Sequence, residues 1–193
     1  MGKMDKMKCI LVGYPDSQSI IPASRYLVEK YLPFEFHWLN WISDPEGWSQ
    51  FIATYLIHLD DELIILTLDD YLVNGFNEDS YKEAVKKFED PKVVCVKLHK
   101  TNEEEHRDYP VTTQYTIWRR KFLIELLTLT KNPWHFEMTG SSIFKQIDVK
   151  SLYLEIPAIT YNTSSCLSGR WKGIDWKGVG PSDLEYILNN KLI

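Results

Sequence analysis

The 193-residue chain is 44% hydrophobic and 25% charged, an ordinary balance for a globular protein, and its 13% aromatic content excludes a disordered chain. A net charge of −5 argues against a generic nucleic-acid coat, which needs a broad cationic face to release counterions. No apolar run approaches the roughly 20 residues that span a bilayer. Met1 to Lys8 also lacks the apolar segment of a signal peptide, so a cytoplasmic protein without a membrane anchor is expected.

Lys8–Gly13 is a continuous apolar run ending in glycine, the pattern of a strand buried on both faces. Gly13 to Ser17 has turn chemistry. A helix over Ser19–Tyr31 follows, with Pro22 tolerated in its first turn, then a strand at Phe34–Leu39. Trp48, Phe51, Ile52, Tyr55, Leu56 and Leu59 give Gly47–Leu59 the spacing of an amphipathic helix. Glu62–Leu68 reads as a short buried strand, Asp79–Phe88 as a helix and Pro91–Leu98 as another strand. Cys9 and Cys95 lie inside two of these apolar runs and read as buried thiols; with Cys166 they are too scattered for a disulfide framework or a zinc site.

Beyond residue 100 the pattern loosens. Thr101–Asp108 reads as a charged loop, and Thr112–Trp118 as an extended stretch leading into a helix from Arg119 to Leu129. Asn132-Pro133-Trp134 interrupts that helix, and Phe136–Phe144 forms a further short one. Leu152–Tyr161 is a strand, residues 162–180 an irregular flap, and Ser182–Leu188 a closing helix. Alternating strands and helices predict an α/β fold: one domain over residues 1–193 with a Rossmann-like, mainly parallel sheet flanked by helices. Ligands of such sheets bind beyond the carboxyl ends of the strands, which points to the turn after Gly13 and to Asp69-Asp70.

Two adjacent carboxylates beyond a buried strand repel each other and lose hydration. A hard cation such as Mn²⁺ or Mg²⁺ offsets that cost, using one or two protein carboxylates together with substrate phosphates. Successive strand residues point to opposite faces, so one aspartate would hold metal and the other a group such as a ribose hydroxyl. A solvated strand-end turn would show the same pair. Glu137, walled by Trp134 and Phe136 near a helix start, has the surroundings of a general base, or it simply complements the helix dipole. His135 has no second ligand at metal-binding spacing. Ser168-Gly169-Arg170-Trp171-Lys172 suits either a flap closing over a diphosphate or a loop docked by its tryptophan.

Taken in order, Ile65–Leu72 (ILTLDDYL), Gln114–Trp118 (QYTIW), Asn132–Glu137 (NPWHFE) and Ser168–Lys172 (SGRWK) resemble a group of small bacterial and viral glycosyltransferase-like proteins with a GT-A-type fold. The resemblance covers nearly the whole chain. It implies that residues 1–100 form a nucleotide-sugar-binding half, 101–161 an acceptor-side half and 162–193 a flap with a closing helix. It implies Asp70 as metal ligand, Asp69 as a metal, nucleotide or sugar contact, and Glu137 as the acceptor-activating carboxylate. Gly13, Tyr14 and Asp16 would lie near the base, with Gln114, Trp118, Arg170, Trp171 and Lys172 as further donor contacts.

The activity so implied is sugar transfer, with inversion if Glu137 is the base, from a nucleotide diphosphate sugar such as a UDP-sugar to a hydroxyl. The acceptor is a saccharide or, given a Lys-, Ile-, Asn- and Tyr-rich usage that suits a phage, a hydroxymethylated base in DNA. In the DNA case Arg119-Arg120-Lys121 and Arg170/Lys172/Lys177 would meet phosphates. A sugar nucleotidyltransferase and a non-catalytic sugar- or nucleotide-binding module are the competing readings.

Overall fold

The computed structural model describes residues 6–13, 20–40, 45–162, 166–167, 170–171 and 179–192. Six strands form the central sheet: β1 (Lys8–Gly13), β2 (Glu35–Asn40), β3 (Leu63–Leu68), β5 (Val93–Lys97), β6 (Thr116–Arg119) and β7 (Lys150–Tyr153). Their order is β2-β1-β3-β6-β5-β7. Every pairing is parallel except those of β6, which runs antiparallel to both β3 and β5.

Burial on both faces explains why the strands are near-continuous apolar runs. Cys9, Leu11, Ile65, Val96 and Ile117 face one layer, made by α1 (Ile21–Tyr31), α3 (Glu78–Lys86) and a small antiparallel pair, β4 (Leu72–Phe76) with β8 (Ile159–Asn162). Their alternates Ile10, Val12, Ile64, Leu66, Cys95 and Trp118 face the other, made by α2 (Trp48–Ile57), α5 (Arg120–Thr128) and α6 (Pro133–Phe144). The expected Rossmann-like, mainly parallel sheet flanked by helices is therefore the observed one, and Cys9 and Cys95 are buried in it.

Pro22 stands in the first turn of α1, and asparagines cap three helices. Asn77 accepts from the Ser80 amide at 3.0 Å, Asn102 from Glu105 at 2.8 Å and Asn132 from His135 at 2.8 Å. The Asn102 cap, with Glu103, Glu104 and Glu105 complementing the dipole, makes Glu103–Asp108 a helix (α4) where a loop is expected. Leu152–Tyr161 is likewise two strands, parted at residues 154–158 around Pro157: β7 joins the main sheet and β8 pairs with β4, itself absent from the sequence reading.

Within residues 162–180, expected to be irregular, β9 (Cys166–Leu167) and β10 (Arg170–Trp171) pair antiparallel. The closing helix α7 (Pro181–Asn189) docks on α1 through Asp183, a residue 1% exposed. It accepts from Tyr26 at 2.9 Å, Tyr31 at 2.6 Å and the Lys30 ammonium. Among the described residues no helix is long and apolar enough to cross a membrane.

Candidate active site

Strand β3 ends by delivering Asp69 and Asp70 into a turn at the carboxyl edge of the sheet. The Asp69 amide donates to the Val12 carbonyl at 3.2 Å, so the ladder to β1 continues one residue past the strand and buries Asp69 to 1% exposure. Gly13 is what permits this. A Cβ at that position would stand 2.8 Å from Asp69 Oδ2, so the missing side chain lets the carboxylate lie against the end of β1.

Asp70, half-buried, leads into Tyr71. Desolvation, then the charges of Asp70, Tyr161 and Glu137, hold the Tyr71 phenol far above its ordinary range, opposed by a hydrogen bond with Thr113. The Tyr71 ring lies 4.8 Å from that of Tyr161 and 6.4 Å from that of Tyr115. Tyr161 in turn donates to the Gln114 side-chain oxygen. Tyr115 is fully buried: burial first, then Cys9, Tyr161, Asp70 and Asp69, raise its phenol strongly.

Glu137 arrives from the opposite layer. The Asn132 cap and Pro133 fix the start of α6, and one turn later Glu137 reaches the segment preceding β6. Its Oε1 accepts from the Thr113 amide at 2.7 Å, the Thr113 hydroxyl at 2.8 Å and the Thr112 hydroxyl at 3.2 Å. The antiparallel course of β6 is the cause. Leu66 pairs with Thr116, so the residues before Thr116 run toward the aspartate end of β3. Lys97, 1% exposed, donates to the Tyr109 carbonyl at 2.6 Å, and its ammonium is destabilised by burial, with Cys95, Glu105 and Glu137 opposing.

The structure thus gathers Gly13, Asp69, Asp70, Gln114 and Glu137 at one edge. Tyr14, Asp16 and Lys172 lie outside the described residues, as do the side chains of Arg170 and Trp171. Trp118, a candidate donor contact by sequence, is fully buried and pairs with Ile64. That register sets it about 16 Å down the sheet from Asp69 at ~3.3 Å per residue, with its ring edge-on to Phe136 in the core. Arg119 and Arg120 are also turned to structural use. Arg119 ion-pairs with Glu62 and donates to the carbonyls of Val93 and Phe88, and Arg120 donates to those of Asp61 and Leu56. They lock the amino-terminal end of β3 and are not laid out as a phosphate-binding face.

Tyr71, His99 and Tyr161 escape the sequence reading, because a lone tyrosine or histidine in an apolar run looks like core. His99 is 1% exposed, and Nδ1 donates to the Tyr115 carbonyl at 3.2 Å. Burial brings its pKa down to about 4, aided by the charges of Lys97 and His106 and opposed by that hydrogen bond. The unfolded chain binds a proton near pH 6.5, whereas native His99 stays neutral until about pH 4. Stability should therefore fall as pH drops through that window. Urea midpoints at pH 7.5 and 4.5 check this: the loss between them should be smaller in His99→Gln than in wild type.

Among the described residues no group of three or more His, Cys, Asp or Glu converges as a metal cage. Asp69 and Asp70 supply two hard oxygen donors at the strand end, a set that fits Mg²⁺ or Mn²⁺ when phosphates and water complete the shell.

No protein-family model matches the chain. No curated protein matches it either. Among solved structures, a cytidylyltransferase from Leptospira borgpetersenii overlaps 98% of this chain and 96% of its own, at 10% identity and a TM-score of 0.50. A glycosyltransferase involved in glycosylating the major capsid of PBCV-1 overlaps 76% of this chain and 79% of its own, at 16% identity and a TM-score of 0.47. A197 from STIV overlaps 80% and 84%, at 12% identity and a TM-score of 0.46. At such identities the likeness is one of fold: the chain shares the end-to-end α/β architecture of the cytidylyltransferase.

Proposed function

We propose that the chain is a metal-dependent glycosyltransferase with a GT-A-type fold, moving a sugar from a nucleotide diphosphate sugar, foremost a UDP-sugar, to an acceptor hydroxyl with inversion. Residues 1–100 would bind the donor, 101–161 would face the acceptor and the C-terminal segment would close over the diphosphate. Gly13, Tyr14 and Asp16 would border the base, Asp69 the ribose or sugar, and Gln114 the sugar. Arg170, Trp171 and Lys172 would come from the flap. Mn²⁺ or Mg²⁺ at Asp70, with help from Asp69, would supply charge neutralisation for the leaving diphosphate.

One observation carries this reading. A carboxylate fixed by three donors on Oε1 is held by the segment that runs from β6 toward the aspartate end of β3. Those donors hold the carboxylate in one orientation. Glu137 then takes the proton of the acceptor hydroxyl as that oxygen attacks the anomeric carbon. The bond to the diphosphate oxygen breaks on the opposite face, and the nucleoside diphosphate leaves with the electron pair.

The fold shared with a cytidylyltransferase keeps nucleotidyl transfer as the second reading. Where its nucleophile is a sugar phosphate, that group is already ionised, so positioning and charge suffice and an oriented base has no task. Label placed in the sugar of a panel of nucleotide sugars, with Mn²⁺ and mixed hydroxyl acceptors, should move to an acceptor. No transfer and no hydrolysis with any donor would overturn the proposal.

A further inference from the structure

A cavity of about 380 Å³ opens at the end of the sheet opposite the aspartates. It lies where Met7 leads into β1, Phe34 leads into β2, and β4 passes into α3. Met7 precedes Gly13 by six residues of extended chain. At ~3.3 Å per residue that sets the cavity about 20 Å from the candidate active site, and the proposed reaction does not use it. Its size is that of a small-molecule site.

The wall is aromatic. Phe34, Phe76 and Tyr81 form a triangle, with ring centroids 5.7 Å apart for Phe34–Phe76, 5.1 Å for Phe34–Tyr81 and 5.7 Å for Phe76–Tyr81. All three belong to or pack against the apolar layer on one face of the sheet, so the rings are held before any ligand arrives. Tyr81 also sets a polar group into this wall. Among the described residues its hydroxyl donates to one atom, the Met7 sulfur at 3.6 Å, and a thioether is a weak acceptor. Burial, then the charge of Cys9, pushes the phenol up to about 12, so at neutral pH it remains a donor. Tyr31, also in the lining, commits its hydroxyl to Asp183 at 2.6 Å.

The lining carries two exposed ammoniums, Lys6 and Lys82, against one carboxylate, Glu78. Glu78 is paired with Lys82 at 2.8 Å, and among the described residues Lys6 has no ion pair. Other charges nearby are outside the lining: Glu35 meets His37, Lys8 meets Asp61, Lys30 meets Asp183, and Asp79 is exposed in the first turn of α3. A cation would be repelled by the two lysines. A neutral ring would leave the phenol on sulfur and one ammonium unmatched. An aromatic carboxylate satisfies the rings, the phenol and the extra charge together.

We infer that this cavity is a second small-molecule site, taking a flat aromatic ring that bears one carboxylate. The ring packs against Phe34 and Phe76, and the carboxylate accepts from the Tyr81 hydroxyl and faces Lys6 and Lys82. Binding here is independent of the chemistry at the aspartate edge.

Calorimetric titration of the intact protein with 2-naphthoate tests this, with naphthalene-2-methanol and 2-naphthylmethylammonium as the neutral and cationic probes. The carboxylate should bind saturably and one to one, the alcohol about tenfold more weakly and the ammonium more weakly still. Tyr81→Phe keeps the ring and removes the donor, and should weaken 2-naphthoate about tenfold. Lys82→Glu alters an exposed side chain whose ion pair adds little to the fold, and should weaken 2-naphthoate about fivefold while strengthening the ammonium. A merely structural role for Lys82 would not reverse that preference. The inference is overturned by an absence of saturable 2-naphthoate binding up to its solubility limit, or by equal affinity for all three probes. Unchanged 2-naphthoate affinity in folded Tyr81→Phe and Lys82→Glu overturns it too.

Discussion

Glu137→Gln is expected to lower the transfer rate by about 10²–10⁴ while leaving donor affinity and folding nearly intact. Glutamine keeps the shape of the side chain, and its amide oxygen can still accept from the Thr113 amide and the two threonine hydroxyls. Only the proton acceptor is removed, so the loss should appear in kcat and not in donor KM. Thr113→Val should give a smaller defect, because it takes away one donor and leaves the carboxylate. Steady-state kinetics on both variants, with the anomeric configuration of the product read by proton NMR, check this. Wild-type turnover in Glu137→Gln, or a product retaining the donor's configuration, would rule out Glu137 as the base.

Asp70→Asn is expected to abolish metal-dependent activity in a protein that still folds. Asp70 is half-buried in the turn after β3 and contributes nothing to the apolar layers, so the exchange removes a charged oxygen without opening a cavity. Asparagine is a poor ligand for a hard cation that otherwise relies on one or two carboxylates. Asp69 differs in kind: its amide extends the β3–β1 ladder and its carboxylate lies against Gly13. Asp69→Asn should therefore weaken donor binding more than metal binding. Calorimetric titration with Mn²⁺, with and without UDP, separates the two; unchanged Mn²⁺ affinity in folded Asp70→Asn would remove the metal assignment.

The sheet was legible in the sequence because parallel strands buried on both faces leave uninterrupted apolar runs. Lys8–Gly13 is strand β1 as the pattern predicts. The aspartate pair was legible for a related reason, since charge following directly on such a run marks the carboxyl edge. What the pattern does not encode is strand direction. The antiparallel β6 brings Thr112–Gln114 to Asp70, and no residue in the QYTIW run announces it. The pairing of β4 with β8, about 85 residues apart by their numbering, was hidden for the same reason, and with it the meeting of Tyr71 and Tyr161. Arg119-Arg120 misled in the opposite direction. Two adjacent cations look like a surface patch, but at a strand-to-helix junction they satisfy carbonyls that the sheet end leaves open. The run Thr101–Asp108 reads as a charged loop, yet a cap and three glutamates suffice to start a helix there.

Phosphorus NMR of the reaction shows whether this edge breaks the bond between a sugar and a nucleoside diphosphate. With a UDP-sugar, Mn²⁺ and a saccharide acceptor, the wild-type protein should release UDP in step with glycoside formation, and Glu137→Gln should release it far more slowly. Pyrophosphate-dependent conversion of the UDP-sugar to UTP and a sugar phosphate, with no free UDP, would rule out sugar transfer and assign the site to nucleotidyl transfer.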